Sequence, residues 1–436
     1  MFPKSKQVLG VNARNRVFLR FNTKKGRKVA DSKLLTKRKL AKVNLPTPKL
    51  IKVFKNSQEV QNFDWLSLPE NFVLKPVSGF GGEGIVVVRK KAKFAGEWRL
   101  MDNSIITLSE LRQQSLDILA GRYSLHNLPD KAMIEERIKI SKTFRHYAHQ
   151  GTPDIRIIVF NRVPVMAMLR LPTIVSKGKA NLHQGALGLG IDLATGITTH
   201  AITTFGVLDA RNLRYIPGTK RKVNGLKIPY WNSFLTLAVK AQEAVPELGF
   251  LGVDLFLDKE RGPIIVELNA RPGLWAQQAN MVPLKKRLER VEGLDVRDAD
   301  HGVRIARALF AARFADRIMI KEGLQILRVW EKIRVLSFDR KQKQEIKAKI
   351  DTGAWRTSID KDFADQMGLL TPENILWKKV YRSGFGKDER EAIGLTFYLG
   401  GRKIKTVANV AERSELRASM IIGRRDLVGF LIRPRG

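Results

Sequence analysis

Cysteine is absent from the 436 residues, which excludes a disulfide framework, a thiol nucleophile, an iron–sulfur cluster and any thiolate zinc site. Histidine is scarce, with six in all. They form no H-E-x-x-H pair, and His146 and His149, three apart beside Arg145, read as surface residues. No apolar run approaches the roughly 20 residues of a membrane helix, since stretches such as Gly84 to Val88 and Ile264 to Val266 are far shorter. The opening Met-Phe-Pro-Lys-Ser-Lys-Gln lacks a signal peptide's apolar core, so a reducing, cytoplasmic location is expected. Acid is also short: 42 Asp and Glu against 79 Lys and Arg leave a net charge of +37. The resulting positive potential favours anionic ligands. It suits an acidic protein or RNA partner as well as a merely solvated basic surface, and no RNA-binding aromatic signature or zinc finger decides between them.

What is present is an ordinary globular composition, 44% hydrophobic and 28% charged, in a chain long enough for more than one core. Residues 33 to 44 read as a basic helix stopped by Leu45-Pro46-Thr47-Pro48, where two prolines enforce extended chain. Phe72 to Leu74 and Ile85 to Val88 read as strands around a glycine-rich bend, and Ile155 to Phe160 with Val163 to Leu169 as a hairpin turned at Asn161-Arg162. Thr236 to Ala244 and Arg304 to Phe314 have helical spacing. Beyond Gly323 the pieces are strand-like: Ile346 to Ile350, Thr396 to Leu399, Lys405 to Val410 and Ser419 to Ile422. A boundary near residue 322 separates an α+β part, 1–322, from a mostly β part, 323–436.

The segment from Val73 through Lys75, Ser78, Gly79, Gly81, Gly82 and Gly84 to Ile85 superficially looks like a phosphate-binding P-loop. In such loops the glycines lead into a helix, whereas here they lead into Ile85-Val86-Val87-Val88, a poor helix and a good strand. The reading is therefore a glycine flap between two strands, whose N–H groups can cover nucleotide phosphates beside the charge of Lys75. A long hairpin with no ligand is the alternative.

Val253 to Asp258 and Pro263 to Asn269 flank Lys259-Glu260-Arg261-Gly262, which reads as a four-residue hairpin loop. With Asp258 facing Pro263, Asp254 faces Glu267. Opposed carboxylates repel, so this hairpin, with Asn269 on the same face, is expected to contain a compensating cation. An all-oxygen ligand set means magnesium or manganese. A solvated hairpin with accidental acids is the alternative.

The order of these features, with Glu135 and Glu136 in Met133-Ile134-Glu135-Glu136-Arg137-Ile138, resembles the ATP-grasp ligases over roughly residues 8 to 315. Within them it resembles RimK-like glutamate ligases through Asp154-Ile155-Arg156, Asn181-Leu182-His183-Gln184-Gly185, Gly252-Val253-Asp254 and Glu267-Leu268-Asn269-Ala270-Arg271-Pro272-Gly273. It also shares the Asn12-Ala13-Arg14-Asn15 start of bacterial alpha-L-glutamate ligase-like proteins. The resemblance implies that Lys33 and Lys75 contact ATP phosphates, that Ser78 to Gly84 form the flap, and that Glu135 and the backbone after it, at Glu136, read the adenine. It implies that Asp254, Glu267 and Asn269 hold two magnesium ions, and that Arg156, Lys179, Asn181 and Arg271 steady the carboxylate substrate and an acyl-phosphate. Charge neutralisation is the physical need behind all of these roles, because an anion attacks an anion. Only about 30 residues precede Lys33, fewer than in RimK proteins, which reduces the wall that helps select the amino acid.

Near the other end Asp351-Thr352-Gly353 closes an alternating strand, Met420-Ile421-Ile422-Gly423 follows, and Ser383-Gly384-Phe385-Gly386 reads as a hairpin between them. Residues 325 to 432 resemble a retropepsin-like aspartic protease, as in the RimK-associated proteins called ATP-dependent zinc proteases, although no zinc ligands are apparent. One Asp-Thr-Gly per chain implies a homodimer pairing two Asp351 side chains. The alternative is an inert barrel used for dimerisation or peptide binding. The expected architecture is thus an α+β ATP-grasp fold followed by a small, mostly β barrel of retropepsin-like type. The expected function is an ATP-dependent carboxylate–amine ligase acting on an amino acid or acidic peptide. An aspartic peptidase or peptide-binding protein with a regulatory nucleotide domain is the alternative, and a charge-driven RNA binder is a third.

Overall fold

Two prolines, a run of capping side chains and a set of two- and three-residue turns decide where the elements begin and end. A computed structural model describes residues 8–79, 81–203, 213–310, 325–383 and 386–433. It divides into two compact units, Met1–Glu292 and Gly293–Gly436. The boundary expected at residue 322 lies outside the described residues. No described helix is long and apolar enough to cross a membrane.

In the first unit, α1 (Lys24–Ala30) is capped by Thr23 and α2 (Lys33–Ala41) by Ser32, each side chain accepting a first-turn N–H. Helix α2 ends three residues earlier than its basic pattern suggests, because the chain turns at Lys42 to Asn44, with Asn44 at positive φ, to enter the proline segment. Strands β1 (Leu50–Phe54), β2 (Phe72–Pro76), β3 (Val86–Lys91), β4 (Glu97–Leu100), β5 (Ile105–Thr107) and β6 (Ala132–Glu136) form one antiparallel sheet in the order β1-β6-β2-β3-β4-β5. One face is closed by α3 (Leu108–Leu119), whose Leu111 and Ile118 join Phe54, Trp65, Phe72 and Trp98 in a core. The other face carries Val53, Val77 and Met133, packed with Leu34 of α2.

The second sheet of this unit runs β10-β9-β8-β7-β11-β12. Its members are β7 (Asp154–Phe160), β8 (Val163–Leu171), β9 (Leu187–Ile191), β10 (Thr198–Thr203), β11 (Phe250–Asp258) and β12 (Gly262–Asn269). The β7–β8 turn is the expected Asn161-Arg162 pair, both at positive φ, as a type I′ hairpin requires. Helix α4 (Trp231–Ala244) starts earlier than its expected Thr236 and packs on these strands.

In the second unit, after helix α5 (Ala299–Phe310), a parallel pair joins β13 (Gln325–Arg328) to β21 (Phe430–Arg433). The remaining strands are β14 (Trp330–Leu336), β15 (Lys343–Asp351), β16 (Ser358–Asp360), β17 (Ile375–Ser383), β18 (Gly386–Leu399), β19 (Arg402–Ala411) and β20 (Met420–Gly423). Pairing in the order β14-β15-β20-β16-β19-β18, with β18 returning to β14, closes a six-stranded barrel, and β17 extends from β18. Ser383 pairs with Gly386 as the expected hairpin requires, while Gly384 and Phe385 lie outside the described residues.

Candidate functional site

Strand register builds the site. On β11, Asp254 stands opposite Arg156 of β7 on one side and Glu267 of β12 on the other. The Asp254–Glu267 pairing is as expected, but by a different route. Asp258 faces Gly262 and not Pro263, so the loop has three residues and Gly262 takes φ +76°. A register shift between Asp254 and Leu255 then restores the pairing, the extra residue of a β-bulge being what re-aims a strand. Gly252 is needed for close approach, since an added Cβ would lie 2.9 Å from Cβ of Pro272.

Protein cations already meet the opposed acids. Arg156 donates from Nε to Oδ1 and from Nη2 to Oδ2 of Asp254, both at 2.7 Å, and Arg170 of β8 donates to Oδ2 at 2.8 Å. Asn269 donates its amide to the same oxygen at 3.2 Å, which confirms that they share a face. Burial alone would push Asp254 up, but the two guanidiniums hold it well below the usual carboxylate range. Arg170 is also gripped in a bidentate pair by Asp154. Burial raises Asp154 despite that partner, with Asp254 adding to the rise. Glu267 has its own cation: Lys33 lies 3.6 Å away and donates to the carbonyl of Gly79 in the flap at 3.2 Å. Three protein cations therefore balance three buried or half-buried acids.

A second ion cluster lies on the first sheet. Lys75 of β2 pairs with Glu135 of β6, and Lys37 of α2 reaches the other oxygen of Glu135 at 2.9 Å while donating to the carbonyl of Pro48. All three side chains are buried. The cations lower Glu135 against its desolvation, and burial lowers Lys37.

The flap is held from several sides. The amide of Asn181 donates to the carbonyl of Gly81 at 3.3 Å, the N–H of Ser78 to Asp130 at 2.7 Å, and Gln114 to the carbonyl of Gly84 at 3.1 Å. Gly81 and Gly82 take φ of +68° and +79°, which favours glycine. Phe80 lies outside the described residues.

The structure thus groups Lys33 with Gly79 and Glu267; Arg156 with Asp254 and Asn269; Lys75 with Glu135; and Asn181 with Gly81. It leaves others apart. Glu136 is engaged by Arg261 and the N–H of Lys49. Arg271 is exposed and pairs with Asp31 at 3.1 Å, and Lys179 is exposed. Asp351 belongs to the other unit, at the end of β15, where its Oδ1 accepts from the N–H groups of Gly353 and Ala354 at 2.9 and 3.1 Å. Lys37 and Arg170 were not singled out from the sequence. The Ser-Lys-Leu-Leu-Thr-Lys spacing puts Lys33 and Lys37 one turn apart and could have found the first. A bulge between Ile158 and Val159 sets Arg170 opposite Asp154 and hid the second, since an unbulged hairpin would pair Asp154 with Leu169.

As a metal site, Asp254, Glu267 and Asn269 offer a hard oxygen set suited to magnesium. Among the described residues no group of three or more His, Asp or Glu side chains could do the same. Binding there would require Arg156 or Arg170 to yield an oxygen of Asp254.

The acids of one sheet and the glycine flap of the other meet at Lys33, and the family comparison agrees with the ATP-grasp resemblance of the sequence. The model of the sugar-transfer associated ATP-grasp family matches residues 12–293, more than half of the chain, and the chain belongs to that family. No curated protein matches it. Similar solved structures include the ATP-grasp ligase PsnB complexed with minimal precursor, at 14% identity and TM-score 0.33, covering 62% of each chain. The D-alanine–D-alanine ligase from Bacillus anthracis is also at 14% and 0.33, covering 62% of this chain and 68% of that one. A protein of unknown function from Legionella pneumophila, Lpg0085, is at 16% and 0.18, over 26% of this chain and 94% of its own. The chain spans less than two thirds of the PsnB chain.

Proposed function

We propose that the first unit is an ATP-dependent carboxylate–amine ligase using magnesium, and that it forms an acyl-phosphate which an amine then attacks. One observation carries this reading: Lys33 touches both the flap carbonyl of Gly79 and the acid Glu267, which lies opposite Asp254. Flap, cation and acidic pair therefore meet at one place, as phosphoryl transfer to a carboxylate needs. Lys33 and Lys75 would steady phosphates, and Asp254, Glu267 and Asn269 would hold magnesium, which supplies charge neutralisation when bound. Arg156, once Asp254 releases it, would hold the substrate carboxylate with Asn181 and, at the mouth, Lys179 and Arg271. The RimK-like motifs favour a glutamate-type or acidic-peptide substrate, and the location would be cytoplasmic. The test is ADP release with magnesium over amino acids and acidic peptides, the product being weighed by mass spectrometry. Release only with a carboxylate and an amine together supports the ligase, and ATP hydrolysis indifferent to both counts against it.

A second reading concerns the barrel. We infer a retropepsin-like module for acidic peptides, because the Asp351 loop is tied to the basic turn after β20, where the N–H of Arg424 donates to the carbonyl of Ala354 at 2.8 Å and its guanidinium lies 5.7 Å from the ring centre of the half-exposed Trp355. Homodimerisation would complete a peptidase dyad. Sedimentation at micromolar concentration with cleavage of an acidic peptide tests it, and a strict monomer without cleavage leaves only docking.

A further inference from the structure

Beside α2, away from the acidic pair, lies a cavity of about 780 Å³, within the range that takes a small ligand. Its apolar walls come from Leu34, Leu35, Val53, Val77 and Pro129. Its charged lining is one-sided, with Lys37, Arg38, Lys49, Lys55 and Lys131 against the single acid Asp130, and it shares with the flap only Ser78, the flap's first residue. That acid is already engaged by the N–H of Ser78. Lys37 is committed to Glu135, but among the described residues Arg38, Lys49, Lys55 and Lys131 have no carboxylate partner. Four exposed cationic residues around one half-open cavity, none of them ion-paired among the described residues, make it a place of positive potential that favours an anion. The mixture of an apolar wall with several cations matches an organic molecule carrying more than one acidic group.

We propose that this cavity is a second ligand site, distinct from the nucleotide cleft, for a small organic polyanion with phosphate or carboxylate groups on an apolar body. Its walls are mechanically joined to the flap. Lys33 donates its backbone N–H to the carbonyl of Val77 at 3.2 Å, Val77 donates to the carbonyl of Lys131 at 2.9 Å, and the next residue, Ser78, starts the flap. An occupant therefore braces the strand end from which the flap springs and the helix that carries Lys33.

The experiment uses the full chain in EDTA, without nucleotide, near physiological salt. The probe is 8-methoxypyrene-1,3,6-trisulfonate, a fluorescent polyanion with an apolar ring body, followed by polarisation. One saturable site is expected. The double variant Lys55→Glu/Lys131→Glu should weaken it at least tenfold. Lys33→Ala in the nucleotide cleft, and Lys90→Glu/Lys93→Glu with the same charge change elsewhere on the surface, should leave it within twofold. Displacement by pyrophosphate or by citrate distinguishes a phosphate from a carboxylate ligand. Saturation should also slow amide hydrogen exchange at Val77, Ser78 and Lys131, a readout that does not need the ligase reading to hold. Non-saturable binding, equal weakening by the Lys90/Lys93 control, or loss only in Lys33→Ala would overturn the proposal.

Discussion

Arg156 grips both oxygens of Asp254 at 2.7 Å from the neighbouring strand, directly across the sheet from Glu267. The acid that family motifs assign to a metal is thus neutralised by the arginine that they assign to a substrate. Under the proposed chemistry a metal ion would have to compete with that arginine for the carboxylate. Arg156→Gln should therefore raise the affinity of the nucleotide-free chain for Mn2+, used as a paramagnetic substitute for magnesium, by roughly tenfold, equivalent to about 1.4 kcal/mol. Titration followed by electron paramagnetic resonance reads this directly, and unchanged or weaker binding would refute the competition.

Asp254→Asn should destabilise the fold as well as weaken metal binding. Relief of repulsion from Glu267 is outweighed, because Arg156 and Arg170 lose a buried anion. Breaking such a pair costs about 3–5 kcal/mol. The shift in urea midpoint, converted with the measured slope, checks it, and a stability equal to the parent would mean that the arginines find other partners.

The Lys37–Glu135–Lys75 cluster makes a graded prediction. Glu135→Gln leaves two buried ammonium groups facing each other and should cost about 3–5 kcal/mol, whereas Lys37→Met leaves Glu135 still paired with Lys75 and should cost less. Denaturant melts of the two variants rank them. If the proposed function holds, Lys75→Ala should in addition reduce ATP affinity, read by calorimetry.

His301 provides a pH prediction for the second unit. Its Nδ1 accepts from the N–H of Arg297 at 3.2 Å and its Nε2 meets the carbonyl of Leu376 at 3.0 Å. Only the neutral ring with its proton on Nε2 satisfies both contacts. Burial, then Arg297 and Arg304, lower it below its ordinary value of 6.5. The unfolded chain takes up the proton first, so this stabilisation is complete above 6.5 and is lost as pH falls through the lower folded value. The unfolding midpoint should drop on acidification from about pH 7 toward 5, with a shallower slope in His301→Gln.

Asp351 anchors its own loop through two backbone N–H groups. Asp351→Ala should cost about 1 kcal/mol, as loss of a helix cap does, and Asp351→Asn, which keeps an acceptor, should cost less. Any peptide cleavage by the proposed dyad should vanish in both. Thermal melts and a peptide assay separate these effects.

Much of the fold was legible because local rules speak plainly. Leu45-Pro46-Thr47-Pro48 stops a helix wherever it is placed, Asn161-Arg162 between apolar runs makes a hairpin, and glycines running into Ile85-Val86-Val87-Val88 announce a flap. Alternation alone put Glu267 and Asn269 on one face, while setting Asp254 opposite them rested on a loop length that the structure shortens by one residue and a bulge makes good. Those are consequences of dihedral preference and of the two-residue period of strands.

Which cation meets those acids was not legible. Arg156 reaches Asp254 only because β11 is inserted between β7 and β12, from opposite ends of the motif-bearing segment, and strand order is set by packing of whole sheets rather than by neighbours in sequence. Arg170 reaches it only through a bulge in β7–β8, and a bulge of one residue moves every partner beyond it. The same holds for Lys37, whose partner Glu135 lies on the first sheet's β6 and is met because Leu34 docks α2 on Val53, Val77 and Met133. The sequence by itself determined the residue types, the turns and the faces on which they lie. Only the tertiary structure decided their partners, because a charge is neutralised by whatever lies within a few ångströms of it, and that distance is fixed by long-range packing.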